Sequence, residues 1–211
     1  MTYQHEYQER REPRAPSRPV VMPPYEPKLD RHMEEYLVSR GLSSRIAEEN
    51  GWYPTIDYAM CARVVIPSSS LVNSWPYYQA RLIVEAHPNV KRYVSPAVPR
   101  GDALAVVFPS KCVLGSIVVE GPMDALAAAG MGYVGVALMG NKPSEAVLDH
   151  IEEIVKVYGD CYVIPDRDAF QEGAEITAKL WARGVRCTLK SIQGAKDLAE
   201  LSPERRKILI N

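Results

Sequence analysis

The apolar and polar positions along the chain fall into three stretches of different character. Residues 1–27 show no apolar period; Arg and Glu recur, and prolines stand at positions 13, 16, 19, 23, 24 and 27. Such a stretch buries too little apolar surface to offset its ordering entropy, which predicts a mobile tail over 1–28. Order is expected from Leu29. Asp30 can cap a helix running to Arg40, with Met33, Tyr36 and Leu37 on one face and Gly41 ending it. Ser43 or Ser44 starts a second short helix that stops at Gly51. Alternation and β-branched residues then predict strands over 63–66, 77–84, 91–94 and 105–108, separated by prolines and Ser-rich turns.

From Ser116 the period changes. Positions 117–119 form a short, wholly apolar strand, and 122–129 a helix with Pro at its first position. A strand over 133–138, a helix over 143–158, a strand over 161–164, a helix over 171–183 and a strand over 185–189 follow, with a final helical segment to the C-terminus. Short apolar strands alternating with helices predict an α/β fold, a parallel sheet covered on both faces, over 115–211. A smaller mixed α+β lobe precedes it over 29–114. No internal repeat is visible.

Composition narrows the class. A chain of 211 residues, 46% hydrophobic and 24% charged, is long and apolar enough to bury a core. It has neither an apolar run of bilayer length nor a signal-peptide core, so no membrane association and a cytoplasmic location are expected. The formal net charge of -1 excludes a uniformly basic nucleic-acid binder, although a local basic groove can coexist with an acidic metal site. Cys61, Cys112, Cys161 and Cys187 are scattered, without a C-x-x-C pair or nearby histidine, so no zinc is expected in this chain and free thiols are.

The chemistry is expected at the carboxyl ends of the parallel strands. The 117–119 strand ends in Glu120, then Gly121, with Asp124 one helical turn on; the 161–164 strand ends in Pro165-Asp166-Arg167-Asp168; and Lys196-Asp197 follows the last strand. Any one of these acids alone reads as a helix cap or a solvated loop carboxylate. Together, in this order and each at its own strand end, they point to a hard divalent cation. Clustered carboxylates need a compensating charge, and oxygen ligands suit Mg²⁺ or Mn²⁺ rather than zinc.

At these residues the chain resembles a known family. Val118-Val119-Glu120-Gly121-Pro122-Met123-Asp124-Ala125-Leu126 is similar to the first Toprim motif. Val136-Ala137-Leu138-Met139-Gly140-Asn141 resembles its second-strand turn, Ile164-Pro165-Asp166-Arg167-Asp168 its D-x-D motif, and Lys196-Asp197-Leu198 its trailing K-D. In the first half, Tyr36-Leu37-Val38-Ser39-Arg40-Gly41-Leu42-Ser43, Arg63-Val64-Val65-Ile66-Pro67, Gln79-Ala80-Arg81 and Lys91-Arg92-Tyr93-Val94-Ser95-Pro96 resemble segments of the DnaG-type primase core, bacterial or phage. The resemblance runs over about residues 29–205 and implies a DNA primase, a DNA-directed RNA polymerase that makes RNA primers on single-stranded DNA. It implies catalytic roles for Glu120, Asp166 and Asp168. The metal ligands it implies are Glu120, Asp124, Asp166, Asp168 and Asp197, holding Mg²⁺ or Mn²⁺. It assigns template or nucleotide binding to Arg63, Arg81, Lys91, Tyr93 and Lys196. Implied partners are single-stranded DNA, NTPs, a replicative helicase and a separate zinc-ribbon protein.

The chain departs from that pattern where Gln79 replaces a glycine, Ala169-Phe170 follow the D-x-D, and Gly140-Asn141 replace a Gly-Thr turn. The family's own zinc ribbon and helicase-binding domain are not in this sequence, an architecture expected of a phage or mobile element. Two other readings use the same features: a Toprim nuclease that directs water with the same acids, and a non-catalytic single-strand-binding or helicase-associated subunit.

Overall fold

A computed structural model describes residues 20–26, 28–55, 57, 60–70, 76–85, 88–98, 102–139 and 142–210. Two capped helices open it. In α1 (Arg31–Ser39) the Asp30 carboxylate accepts the Met33 N–H at 2.9 Å, and Met33 and Leu37, one turn apart, are buried. Gly41 takes a left-handed φ of 63° and turns the chain into α2 (Ser44–Glu49), which Ser43 caps.

Among the described residues, nine strands then make one sheet. β1 (Tyr53–Pro54), β2 (Arg63–Ser70), β3 (Pro76–Leu82), β4 (Tyr93–Val94) and β5 (Ala103–Val107) pair antiparallel. β6 (Ser116–Val119), β7 (Val134–Ala137), β8 (Cys161–Val163) and β9 (Cys187–Leu189) pair parallel. The spatial order is β4-β3-β2-β5-β7-β6-β8-β9, with β1 beside β2. The antiparallel β5–β7 pair joins the two kinds of sheet.

Both faces are covered, as the wholly apolar strands require. α3 (Pro122–Gly130) lies on one face with α1 and α2, and α4 (Glu145–Tyr158) and α5 (Phe170–Ala182) lie on the other. α3 is rich in alanine and approaches β7 very closely: a Cβ on Gly135 would stand 2.1 Å from the Ala125 carbonyl oxygen. That contact fixes the first turn of α3 against the sheet, and with it the loop carrying Glu120. On the other face Arg183, at the end of α5, pairs with Glu145 and Asp149 of α4. α6 (Pro203–Ile210) closes the chain.

Packing begins earlier than the apolar pattern suggests. Val20 and Met22 pack against a cluster of Tyr53, Val65, Tyr78 and Ala80, and the Tyr53 hydroxyl donates to the Pro23 carbonyl at 3.1 Å. The expected tail is thus cut short at its C-terminal end by apolar contacts that its proline content conceals; its remainder, residues 1–19, lies outside the described residues. Among the described residues no helix is long and apolar enough to cross a membrane.

Candidate active site

Glu120, Asp166 and Asp168 follow the ends of parallel strands, whereas Asp124 lies in the first turn of α3 and Asp197 in the loop after β9. β6 runs out at Val119, Glu120 stands exposed beyond it, and Gly121 is the N-cap of α3. β8 gives way to Asp166, and a 3-10 turn over Arg167–Ala169 leaves Asp168 exposed. A second 3-10 turn, Leu198–Glu200, is capped by Asp197, whose carboxylate accepts the Glu200 N–H at 2.8 Å. Two bonds lash these loops together. The Arg167 N–H donates to the Lys196 carbonyl at 2.8 Å, and the Ala199 N–H donates to the buried Asp124 carboxylate at 2.8 Å.

The cluster is under-compensated. Burial pushes the Asp166 carboxyl up to about 6, with Glu120, Asp197 and Asp168 adding to the effect, and Lys196 opposes it from 3.8 Å. Burial and then the Asp197 charge push Asp124 further, to about 8, against the Ala199 N–H and the more distant Arg40. Carboxylates raised in this way repel one another, and a nearby positive charge would relieve that repulsion. Among the described residues no group of three or more His, Cys, Asp or Glu side chains stands close enough together to hold a metal ion. Glu120, Asp166 and Asp168 are the open members; Asp124 and Asp197 each give an oxygen to a backbone amide.

A cleft of about 610 Å³ opens directly onto this end of the sheet. Glu120, Gly121, Pro122 and Met139 form one side, and Tyr77, Gln79, Lys91 and Tyr93 the other. Met139, just past β7, holds a left-handed φ of 58° that non-glycine residues seldom adopt, a local strain typical of functional loops. The adjoining Gly140 and Asn141 lie outside the described residues.

The five expected template or nucleotide contacts fare differently. Lys91 is exposed on the cleft wall beside Tyr93, and Lys196 stands over Asp166. Arg81 is buried behind Tyr93: its guanidinium lies 4.8 Å from the ring centroid and donates to the Tyr36 hydroxyl at 3.1 Å. Burial raises the Tyr93 hydroxyl to about 12, so it stays protonated near the acids. Arg63 lies elsewhere. Its neighbour Val64 is in register with Arg81, so alternation turns Arg63 to the opposite face of the sheet. There its guanidinium donates to the carbonyls of Ala80, Lys91 and Arg92 at 3.1, 2.7 and 3.1 Å. Arg63 therefore holds the Lys91 segment from behind.

Sequence reasoning passed over two features. Tyr77 and Gln79 share the cleft-facing side of β3 with Arg81, a period-2 signal present in the sequence. Arg206 is 2% exposed and donates to the carbonyls of Arg40, Gly41, Leu198 and Ala199, clamping the Asp197 turn to the end of α1. Nothing local separates it from the exposed Arg205.

Comparison with known proteins bears on the fold. Residues 117–202 match the family model described as Toprim-like. No curated protein matches the chain. Among solved structures, the Aquifex aeolicus primase (zinc-binding and RNA polymerase domains) superposes with a TM-score of 0.61 at 18% identity, covering 86% of this chain and 55% of that one. A DnaG primase catalytic domain bound to ssDNA gives 0.58 at 17% identity, covering 85% and 71%. The RNA polymerase domain of Mycobacterium tuberculosis DnaG gives 0.58 at 13% identity, covering 85% and 75%. The chain thus spans just over half of the Aquifex primase chain it resembles. Residues 117–202 match the Toprim-like model, and the part of the chain that superposes, about 86% of it, has the fold of a DnaG-type primase catalytic core.

Proposed function

We propose that this protein is a DNA primase core that joins ribonucleotides on a single-stranded DNA template. The observation that carries the reading is the shared cleft: Lys91 and Tyr93 face Glu120 across one space, at the strand ends where Asp166 and Asp168 also stand. Lys91 offers a compact charge for a phosphate, and the Tyr93 ring a face for an unpaired base. Glu120, exposed at the cleft edge, is placed to orient a 3′-hydroxyl and accept its proton. Asp166 and Asp168 would hold Mg²⁺ or Mn²⁺, with Glu120 beside them; bound there, the metal supplies charge neutralisation on the nucleotide phosphates. Asp124 fixes the Asp197 turn through the Ala199 amide, and Lys196 tempers the charge on Asp166. Arg63 and Arg81 position the Lys91–Tyr93 segment.

The reading extends to partners. A DnaG catalytic domain that resembles this chain was captured with single-stranded DNA, which supports the same ligand here. A replicative helicase and a separate zinc-ribbon protein complete the proposed assembly, in a bacterial or phage-infected cytoplasm. The test is incorporation of labelled NTPs on single-stranded DNA with Mg²⁺ or Mn²⁺, wild type beside Asp168→Ala. Short RNA products from wild type alone support the reading. Shortened template without products would replace it with the nuclease, and binding without turnover, even with the helicase and zinc-ribbon protein present, with the non-catalytic subunit.

A further inference from the structure

At the opposite end of the parallel sheet from the acids, two thiols face each other. Cys161 opens β8 and Cys187 opens β9, and the strands pair with these two residues in register. In-register neighbours on adjacent strands share a face of the pleat, and both side chains are buried in one apolar cluster with Val163, Leu180 and Val185. Paired strands run ~4.8 Å apart, inside the ~4.4–6.8 Å that Cα atoms span across a disulfide. Among the described residues no third His, Cys, Asp or Glu joins them, so a metal site there is incomplete. Both residues, though buried, border a surface cavity. The cavity, of about 390 Å³, is lined by Cys161, Cys187, Trp181, Arg186 and Thr188. The other two cysteines, Cys61 and Cys112, are exposed.

We propose that Cys161 and Cys187 are a modification site, closing to a reversible disulfide in the presence of a small disulfide oxidant such as glutathione disulfide. The Cys187 thiolate attacks one sulfur of the oxidant and releases a glutathione thiolate, leaving a mixed disulfide. The Cys161 thiol then gives up its proton to water and attacks the Cys187 sulfur, releasing the second glutathione thiolate. Two protein thiols are oxidised and one glutathione disulfide is reduced to two thiols. The order follows the two thiols' acidity: interaction with Cys161 lowers the Cys187 thiol, while that interaction and then burial raise Cys161; the Cys161 thiol donates to the Tyr162 carbonyl at 4.0 Å and the Cys187 thiol to the Thr177 carbonyl at 3.9 Å. The strand spacing slightly exceeds the usual Cβ separation of a disulfide, so the bridge forms under strain and reduces readily.

The experiment uses the full chain, reduced and desalted, incubated with glutathione disulfide, then acid-quenched, alkylated under denaturing conditions and mapped by peptide mass spectrometry. The expected product joins the Cys161 and Cys187 peptides with the loss of two hydrogens, disappears on mild reduction, and is replaced in Cys161→Ser by a glutathione adduct on Cys187. The exposed Cys61 and Cys112 report that the oxidant acted. If both are converted while Cys161 and Cys187 remain alkylatable, or carry separate glutathione adducts without a cross-link, the proposal is overturned. That reading of the wild-type chain does not depend on any variant folding.

Discussion

At the carboxyl ends of β6 and β8, Glu120 and Asp168 stand exposed and Lys196 stands 3.8 Å from Asp166. In the antiparallel half of the same sheet the charged groups are handled in the opposite way. Arg63 is buried with three carbonyls on its guanidinium, and Arg81 is buried between Tyr36 and Tyr93. The difference separates two uses of charge within one sheet. Acids left crowded and short of partners are available to a ligand, whereas arginines whose donors are matched by the fold hold the wall that faces it.

Substitution should separate the two sets. Glu120→Gln and Asp166→Asn are each expected to lower NTP incorporation by about 10²–10³-fold, the usual loss when one charge stabiliser is removed from a site. The unfolding midpoint of Asp166→Asn should stay level or rise, because the native carboxylate is held against its neighbours. Arg63→Ala is expected to do the reverse, costing about 3 kcal/mol of stability in urea unfolding by leaving buried carbonyls unmatched. An Arg63→Ala chain of native stability with lost nucleotide binding would break the comparison.

Acidity sharpens it further. Asp124 and Asp166 are raised in the fold, to about 8 and about 6, above their ordinary carboxylate value. The folded protein therefore binds more protons than the unfolded chain across this interval, and metal-free stability should fall as pH rises from about 4 through about 8. Mg²⁺ should offset the loss most at the upper end, read as urea midpoints at pH 5 and 8 with and without the ion. The smallest effect belongs to the wall: Lys91→Ala should leave stability within about 0.5 kcal/mol. It should also reduce the log–log salt slope of single-strand binding by about 1.

Much of the parallel half was legible in the sequence because its signals are local. The apolar run at 117–119 ends on Glu120, Pro122 marks the start of α3, and the acids at 166 and 168 follow a strand that period alone identifies. What escaped depends on contacts between distant segments. The two-residue β1 exists only by pairing with β2, and the face of Arg63 follows from its register with β3. Arg206 and Arg205 differ only in which one α6 turns toward the Arg40–Gly41 carbonyls. The same holds for residues 20–26, ordered by Tyr53 rather than by any period of their own.

The crowded acids, and not the arginine-braced wall, should take the divalent cation. Manganous-ion titration followed by electron paramagnetic resonance tests it on wild type, Asp166→Asn and Arg63→Lys. Saturable Mn²⁺ binding is expected in wild type and in Arg63→Lys, and its loss in folded Asp166→Asn. Equal binding by wild type and Asp166→Asn would contradict it.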